Sequence, residues 1–259
     1  MGLTRTKNFS GRSFFQMATL KIWARQIAED FNVVLHKIAR RLIRKIVEIV
    51  VTDLDLIRYF NDPAGAVAFE KEHLMDVPTF RDRQQLFTHV LSEVSSDEGL
   101  FMEFGVYKGN SINRLAKIKP NVTFYGFDSF VGLPEHWRPG ARRGILSTDG
   151  ELPAVRTNVK LIRGFYADTL PAFVAAHANK TISFMHVDCD LYSSTKTILA
   201  ETKVLLVPGT IIVFDEYFNA PEWREEEYKA FTEFIAESKI GFEYIGYIRT
   251  GSQVAVKLL

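Results

Sequence analysis

The spacing of apolar residues divides the chain into two parts. Between residues 14 and 60, apolar residues recur every three or four positions with Lys and Arg between them, which predicts one or two amphipathic helices. Pro63 and Gly65 interrupt this pattern. We therefore predict a helical N-terminal extension over residues 1–62 and a main domain over residues 63–259.

The main domain alternates between two periodicities. After a predicted helix over residues 79–94, short β-rich runs are separated by longer helical segments, which is typical of βαβ units in a parallel sheet. The last two runs flank a turn at 250–252 and predict an antiparallel hairpin. We expect an α/β fold with a seven-stranded, mostly parallel sheet and an antiparallel edge strand. The predicted strands cover residues 100–104, 123–127, 159–163, 182–187, 210–214, 242–248 and 253–258.

Charge and composition narrow the class of protein. The formal net charge of +1 gives no support for a nucleic-acid partner. A single cysteine, Cys189, cannot form an intrachain disulfide, which favours a reducing, cytoplasmic location. We expect neither a signal peptide nor a membrane span.

The N-terminal extension is more basic than the rest of the chain. Residues 1–50 contain ten Lys and Arg against three acidic residues, a local charge of +7. We expect this helix to pack on the main domain or on a second subunit. The alternative is weak peripheral contact of residues 14–50 with an anionic membrane surface.

A glycine-containing loop follows the first predicted strand of the main domain. Gly105 and Gly109 would let the backbone approach a ligand closely, although a tight turn without a ligand would use the same residues. The next strand ends at Asp128, 25 residues after Glu103. An acidic residue there can accept the hydroxyls of a ribose, so we expect an adenosine-containing ligand.

Four acidic residues follow two later strands that we expect to be neighbours. Asp188 and Asp190 follow one strand, and Asp215 and Glu216 follow the next. Repulsion among carboxylates at one sheet edge would be relieved by a cation, and oxygen ligands suit Mg²⁺, Ca²⁺ or Mn²⁺. The alternative is that these residues cap helices or pair with lysines.

These segments carry a family resemblance over about residues 79–259. The runs EFGVYKGNS, GFDSFVGLPEHW, HVDCDLYSSTKTIL and VPGTIIVFDEYFNAPEW resemble, in order and spacing, the macrocin O-methyltransferase family of class I S-adenosylmethionine-dependent methyltransferases. The resemblance implies a Rossmann-like fold. It also implies O-methylation of a small hydroxylated molecule such as a sugar or glycosylated natural product.

The resemblance also implies roles for individual residues. Asp188, Asp215 and Glu216 would bind a divalent metal, normally magnesium, and Asp190 would act as general base or as a neighbour of the metal ligands, with Asp188 beside it. The residues expected around S-adenosylmethionine are Glu103, Gly105, Tyr107, Gly109, Ser111, Asp128, Ser129 and Asp188. Glu216 stands where relatives often have Asp, which leaves the identity of the metal open.

Four other features are interpreted from their surroundings in the sequence. We expect His186 to be a packed, hydrogen-bonded histidine and Cys189 a small buried filler rather than a nucleophile. We expect Glu225, Glu226 and Glu227 to form a solvated helix face. The segment 136–158, rich in Arg, Gly and Pro, is expected to be an irregular lid over the site.

Two other functions are compatible with the residues. The first is a metal-independent methyltransferase in which Asp215 and Glu216 only form hydrogen bonds. The second is a non-catalytic S-adenosylmethionine-binding module. We further expect a homo-oligomer, because an amphipathic extension suits exchange between subunits.

Overall fold

The computed structural model describes residues 35–46 and 63–259, with backbone only at Pro63 and Ala64. The chain divides into two compact units, Met1–Phe60 and Asn61–Leu259. Most of the predicted extension lies outside the described residues. The boundary predicted near residue 62 stays a prediction.

Helix α1, over residues 35–46, is the part of the extension that is described. Its large apolar side chains are at least half exposed, from 52% at Ile46 to 61% at Leu42. Every ionisable residue between them is basic or histidine. The predicted contact of this region with a membrane surface or a second subunit stays a prediction.

The helices of the described ranges, 35–46 and 63–259, fall short of what a bilayer requires. None of them is both long enough and apolar enough to cross a membrane.

The second unit is built around an eight-stranded sheet in the order β1-β7-β8-β6-β5-β2-β3-β4. Six helices accompany it: α2 (Pro63–Phe69, continued by a π-helical turn at Glu70–Leu74), α3 (Arg83–Ser92), α4 (Asn110–Ile118), α5 (Tyr166–Ala176), α6 (Tyr192–Thr202) and α7 (Glu227–Ser238). The strands are β1 (Thr79–Phe80), β2 (Leu100–Phe104), β3 (Phe124–Asp128), β4 (Val159–Arg163), β5 (Ile182–Val187), β6 (Ile211–Phe214), β7 (Phe242–Ile248) and β8 (Val254–Leu258).

Two expectations about the sheet are wrong. The sheet has eight strands rather than seven, because Thr79 and Phe80 pair with Tyr247 and Ile248 of β7 instead of beginning a helix. The antiparallel strand is also not at an edge. β8 lies between β6 and β7 and runs antiparallel to both, while β1 extends the sheet beyond β7 in parallel.

The central strands are buried on both faces. Alternate residues of β6 enter different hydrophobic clusters, Ile212 and Phe214 in one, Ile211 and Val213 in the other. The first cluster includes side chains of α5, α6 and α7, and the second includes side chains of α3 and α4. Helices therefore cover both faces, which leaves the carboxyl ends of the parallel strands as the edge where loops meet.

The tightest backbone contact at this edge lies between β2 and β5. Gly105 has φ +93°, and a Cβ atom on it would lie 1.7 Å from the carbonyl oxygen of Asp188. Only glycine permits this approach. Its position is therefore set by packing of the two strand ends as well as by any ligand.

We predict that Gly105→Ala lowers the free energy of unfolding by more than about 3 kcal/mol, because strain at positive φ adds to the clash with Asp188. Urea denaturation measures the change. Gly140→Ala is the matched control, since Gly140 has φ +87° but a Cβ atom on it would meet nothing within 4 Å. A loss of about 1 kcal/mol in both variants would show that the contact with Asp188 is unimportant.

Candidate active site

A cavity of about 540 Å³ opens at the carboxyl edge of the sheet. This volume is within the roughly 300–1,000 Å³ of small-molecule sites. Its walls come from the loops after β2, β3, β4 and β5 and from α3. The lining includes Arg83, Phe87, Gly105, Val106, Tyr107, Ser111, Asp128, Ser129, Leu146, Phe165, Tyr166, Asp188 and Asp190.

Asp128 connects the loop after β2 to the loop after β3. One of its carboxylate oxygens accepts hydrogen bonds from the backbone N–H groups of Val106 and Tyr107, at 2.9 and 2.7 Å. The other accepts from Phe130 N–H at 2.7 Å. These bonds use three of about four acceptor positions on a carboxylate, so about one remains for a ligand hydroxyl.

Most of the residues expected around the cofactor do line the cavity, and two do not. Glu103 is fully buried behind the wall, and Gly109 forms the N-terminal cap of α4 with φ +78°. Within the segment 136–158, Leu146 reaches the cavity. This segment is irregular, as expected, and its backbone bonds to the loop after β3 through Gly144–Leu133 and Gly150–Phe130.

A row of ionisable side chains lies next to the cavity, across β2, β5 and the residue after β6. Glu103 Oε2 lies 2.9 Å from His186 Nδ1, and Glu103 Oε1 accepts a hydrogen bond from Ser111 Oγ at 3.1 Å. On the other side of the ring, His186 Nε2 lies 3.6 Å from Asp215 Oδ1. The second oxygen of Asp215 accepts hydrogen bonds from Arg83 and Gln253.

The electrostatics of this row follow from burial and from neighbouring charge. Burial alone would lower the pKa of His186, but the carboxylates of Asp215 and Glu103 raise it to about 10. Burial would raise the pKa of Asp215, yet His186 and then Arg83 hold it below its ordinary value. Burial raises the pKa of Glu103. The row thus places opposite charges side by side in the interior.

Further carboxyl groups crowd the same region. Burial, and next the charge of Asp215, raise the pKa of Asp188 well above its ordinary value. The same two causes raise the pKa of Asp190 to about 6. Asp190 is 7% exposed, has φ +66° and lines the cavity. A carboxylate with a pKa near neutrality is suited to accept a proton.

The structure brings part of the expected metal set together. Donor atoms of His186, Asp188 and Asp215 all lie within 4.8 Å of one another. Among the described residues, no group of three donors at this distance includes Glu216. The backbone N–H of Glu216 instead donates to Glu227 Oε2 at 2.9 Å, and Glu227 is buried while Glu216 is half-buried.

The solvated face expected for residues 225–227 is wrong for one of its members. Glu225 is exposed, but Glu227 is completely buried at the first position of α7. A 3₁₀ turn at Trp223–Glu225 changes the direction of the chain before α7 begins, so the three residues do not share one helix face. Burial raises the pKa of Glu227 well above its ordinary value.

Sequence reasoning also missed Arg83 and Gln253, which hold Asp215. They lie 132 and 38 residues from it in the chain, and no local spacing connects them. The packing expected for His186 and Cys189 is confirmed. His186 is buried and hydrogen-bonded, and Cys189 is 4% exposed with its thiol pKa raised well above its ordinary value by burial.

Comparison with known proteins agrees with this arrangement. Residues 102–217 match the family described as "Methyltransferase domain". The chain is similar in fold to CalS11, a calicheamicin methyltransferase, with a TM-score of 0.55 and 21% identity over 82% of this chain and 85% of that one. It is also similar to the O-methyltransferase NovP, with a TM-score of 0.51 and 22% identity over 68% and 78%. No curated protein matches the chain in sequence.

The family match, which rests on sequence, and the similarity in fold both support the predicted enzyme class. The match begins within β2 and ends just after the acidic residues that follow β6. This stretch supplies most of the cavity lining and the side chains of Glu103, His186, Asp188 and Asp215. The similar structures share the α/β fold with a mostly parallel sheet. The predicted enzyme class, a methyltransferase, is confirmed at this level by the match of residues 102–217 to the methyltransferase-domain family.

Proposed function

We propose that the protein transfers a methyl group from S-adenosylmethionine to a hydroxyl of a small molecule, with a sugar or glycosylated natural product as the substrate class. The observation that carries this proposal is the single cavity wall formed by the Gly105 loop, Asp128, Asp188 and Asp190. The names of the similar structures, a calicheamicin methyltransferase and an O-methyltransferase, support the same chemistry. We also propose that the protein is related to the macrocin O-methyltransferase family.

The cavity has features that suit S-adenosylmethionine. The loop at Gly105 and Tyr107 lines it, and Asp128 retains about one acceptor position for a ribose hydroxyl. Phe165, 37% exposed, offers an aromatic surface in the same wall. When bound, the cofactor supplies a methyl group that is already electrophilic, so the protein's task is to position the acceptor oxygen and remove its proton.

Asp190 is the proposed acceptor of that proton. Transfer of the methyl group to a hydroxyl oxygen gives a methyl ether and S-adenosylhomocysteine, and the hydroxyl proton passes to the Asp190 carboxylate. Asp188 and Asp215 would hold a divalent cation, Mg²⁺ or another hard cation, with Glu216 as the further ligand that the resemblance implies. Such an ion lowers the pKa of a bound hydroxyl.

The residues present fit a cation on one structural ground. Buried oxygen and nitrogen atoms of Asp215, His186 and Glu216 have no hydrogen-bond partner within the described chain. A specific observation favours the metal-independent alternative: the Arg83 guanidinium already contacts Asp215 and supplies positive charge there. Turnover in the presence of a strong chelator distinguishes the two.

We predict that Asp128→Asn weakens binding of S-adenosylhomocysteine by at least about tenfold, because an amide cannot accept the Val106, Tyr107 and Phe130 N–H bonds together and the loop loses its anchor. Calorimetric titration measures the affinity. Asp149→Asn is the control, an exposed loop residue with φ +55° that Asn tolerates. Equal affinity in both variants would remove Asp128 from the proposed cofactor site.

We predict that Asp190→Asn lowers kcat by about 10²–10⁴-fold, the usual contribution of a general base. Affinity for S-adenosylhomocysteine should change by less than about threefold, since the proposed role concerns the acceptor hydroxyl. The assay follows S-adenosylhomocysteine formation with a panel of glycosides and nucleotide sugars. Full activity of the variant on an acceptor that wild type methylates would exclude Asp190 as the base.

A further inference from the structure

Two buried atoms in the row of ionisable side chains face each other. His186 Nε2 and Asp215 Oδ1 have no hydrogen-bond partner within the described chain, and they lie 3.6 Å apart. Both side chains are at most 1% exposed. The two atoms form an ion pair when His186 is protonated, and a cation that replaced the ring proton would bind both of them.

Each of these atoms is the free end of a side chain whose other end is held. Glu103 bonds the opposite ring nitrogen of His186 at 2.9 Å, and Ser111 in turn bonds Glu103. Arg83 and Gln253 together bond the opposite oxygen of Asp215. A carboxylate behind a histidine and hydrogen-bond donors behind a carboxylate are the arrangement that orients metal ligands in proteins.

Asp188 completes the group and connects it to the cavity. A carboxylate oxygen of Asp188 lies within 4.8 Å of the donor atoms of His186 and Asp215, and Asp188 also lines the cavity wall. Ligands at about 2.0–2.2 Å from one ion are separated by roughly 3–4 Å, so small movements bring these three donors to one ion. An ion there would face the substrate.

We propose that His186 Nε2 binds a divalent ion together with Asp188 and Asp215, and that this nitrogen ligand makes the site prefer Mn²⁺ to Mg²⁺. The inference deepens the proposed function, on which it rests for the role of the ion. Imidazole suits first-row transition ions, whereas carboxylate and water ligands alone suit magnesium. The Glu216 carboxyl group lies outside the set of donors, and its backbone is held by Glu227.

Arg83 restricts where the ion binds. Its guanidinium contacts Oδ2 of Asp215 and leaves Oδ1, the atom beside His186, for the ion. The Arg83 side chain is 40% exposed, so solvent screens part of its repulsion of an incoming cation. The Asp215 carboxylate would thus lie between the Arg83 guanidinium and the divalent ion, with one oxygen toward each.

The test uses the full-length protein loaded with Mn²⁺ alone, without cofactor or acceptor. Pulsed electron paramagnetic resonance detects a nitrogen atom bound directly to Mn²⁺, and we expect this coupling in wild type. His186→Gln should lose it and bind Mn²⁺ at least about tenfold more weakly, with a smaller loss for Mg²⁺. His136→Gln, at an exposed histidine outside the row of ionisable side chains, is the matched control and should keep the coupling and affinities within about threefold.

Several results would overturn the inference. Bound Mn²⁺ without nitrogen coupling in wild type excludes His186 as a ligand, and this measurement needs no variant. Unchanged Mn²⁺ affinity in a folded His186→Gln protein, checked by circular dichroism and S-adenosylhomocysteine binding, excludes it as well. Absence of Mn²⁺ binding by folded wild type would also overturn it and would assign the neutralisation of these carboxylates to Arg83 and His186.

Failure of the proposed function gives a different pattern. Nitrogen-coupled Mn²⁺ without methyl transfer to any acceptor would support the metal ligand and contradict the methyltransferase proposal. Methyl transfer that is insensitive to chelator, with no bound Mn²⁺, would support the methyltransferase proposal and contradict the metal ligand.

Discussion

The buried pair of Glu103 and His186 positions the carboxyl edge of the sheet. The two residues are register partners across β2 and β5, and both side chains are completely buried. A charged or polar pair in the interior is tolerated only when its hydrogen bonds are well made. Gly105 and Asp188 follow each of them by two residues and are in backbone contact. The loops after β2 and β5, which both line the cavity, therefore start from one constrained point.

Much of the sheet could be predicted because its signals are local. The strands at 100–104, 159–163 and 182–187 have the predicted bounds, since each is an apolar run closed by turn residues. β1 could not be recognised, because a two-residue strand has no periodicity and exists only through its pairing with β7. The interior position of β8 depends in the same way on which strands are neighbours.

In the candidate site, too, residues with local sequence signals could be predicted and those that depend on distant contacts could not. Asp128, Asp188 and Asp190 were identifiable because they follow predicted strands and the carboxyl ends of parallel strands meet at one edge. Arg83 could not be assigned, since it comes from the start of α3 and meets Asp215 only in the folded chain. The burial of Glu227 depends on a turn with no distinct sequence pattern. Side-chain contacts between residues that are distant in the chain are thus what the sequence alone could not predict.

The shortness of β1 bears on how copies of this protein can associate. An edge strand normally presents a row of unpaired backbone groups that can template another chain. β1 has two residues and is followed directly by Arg81, Asp82 and Arg83. This edge therefore presents few backbone groups for pairing with another strand, and charged residues lie next to them. A second copy therefore cannot readily add a strand beside β1, which disfavours edge-to-edge aggregation of a sheet rich in apolar strands.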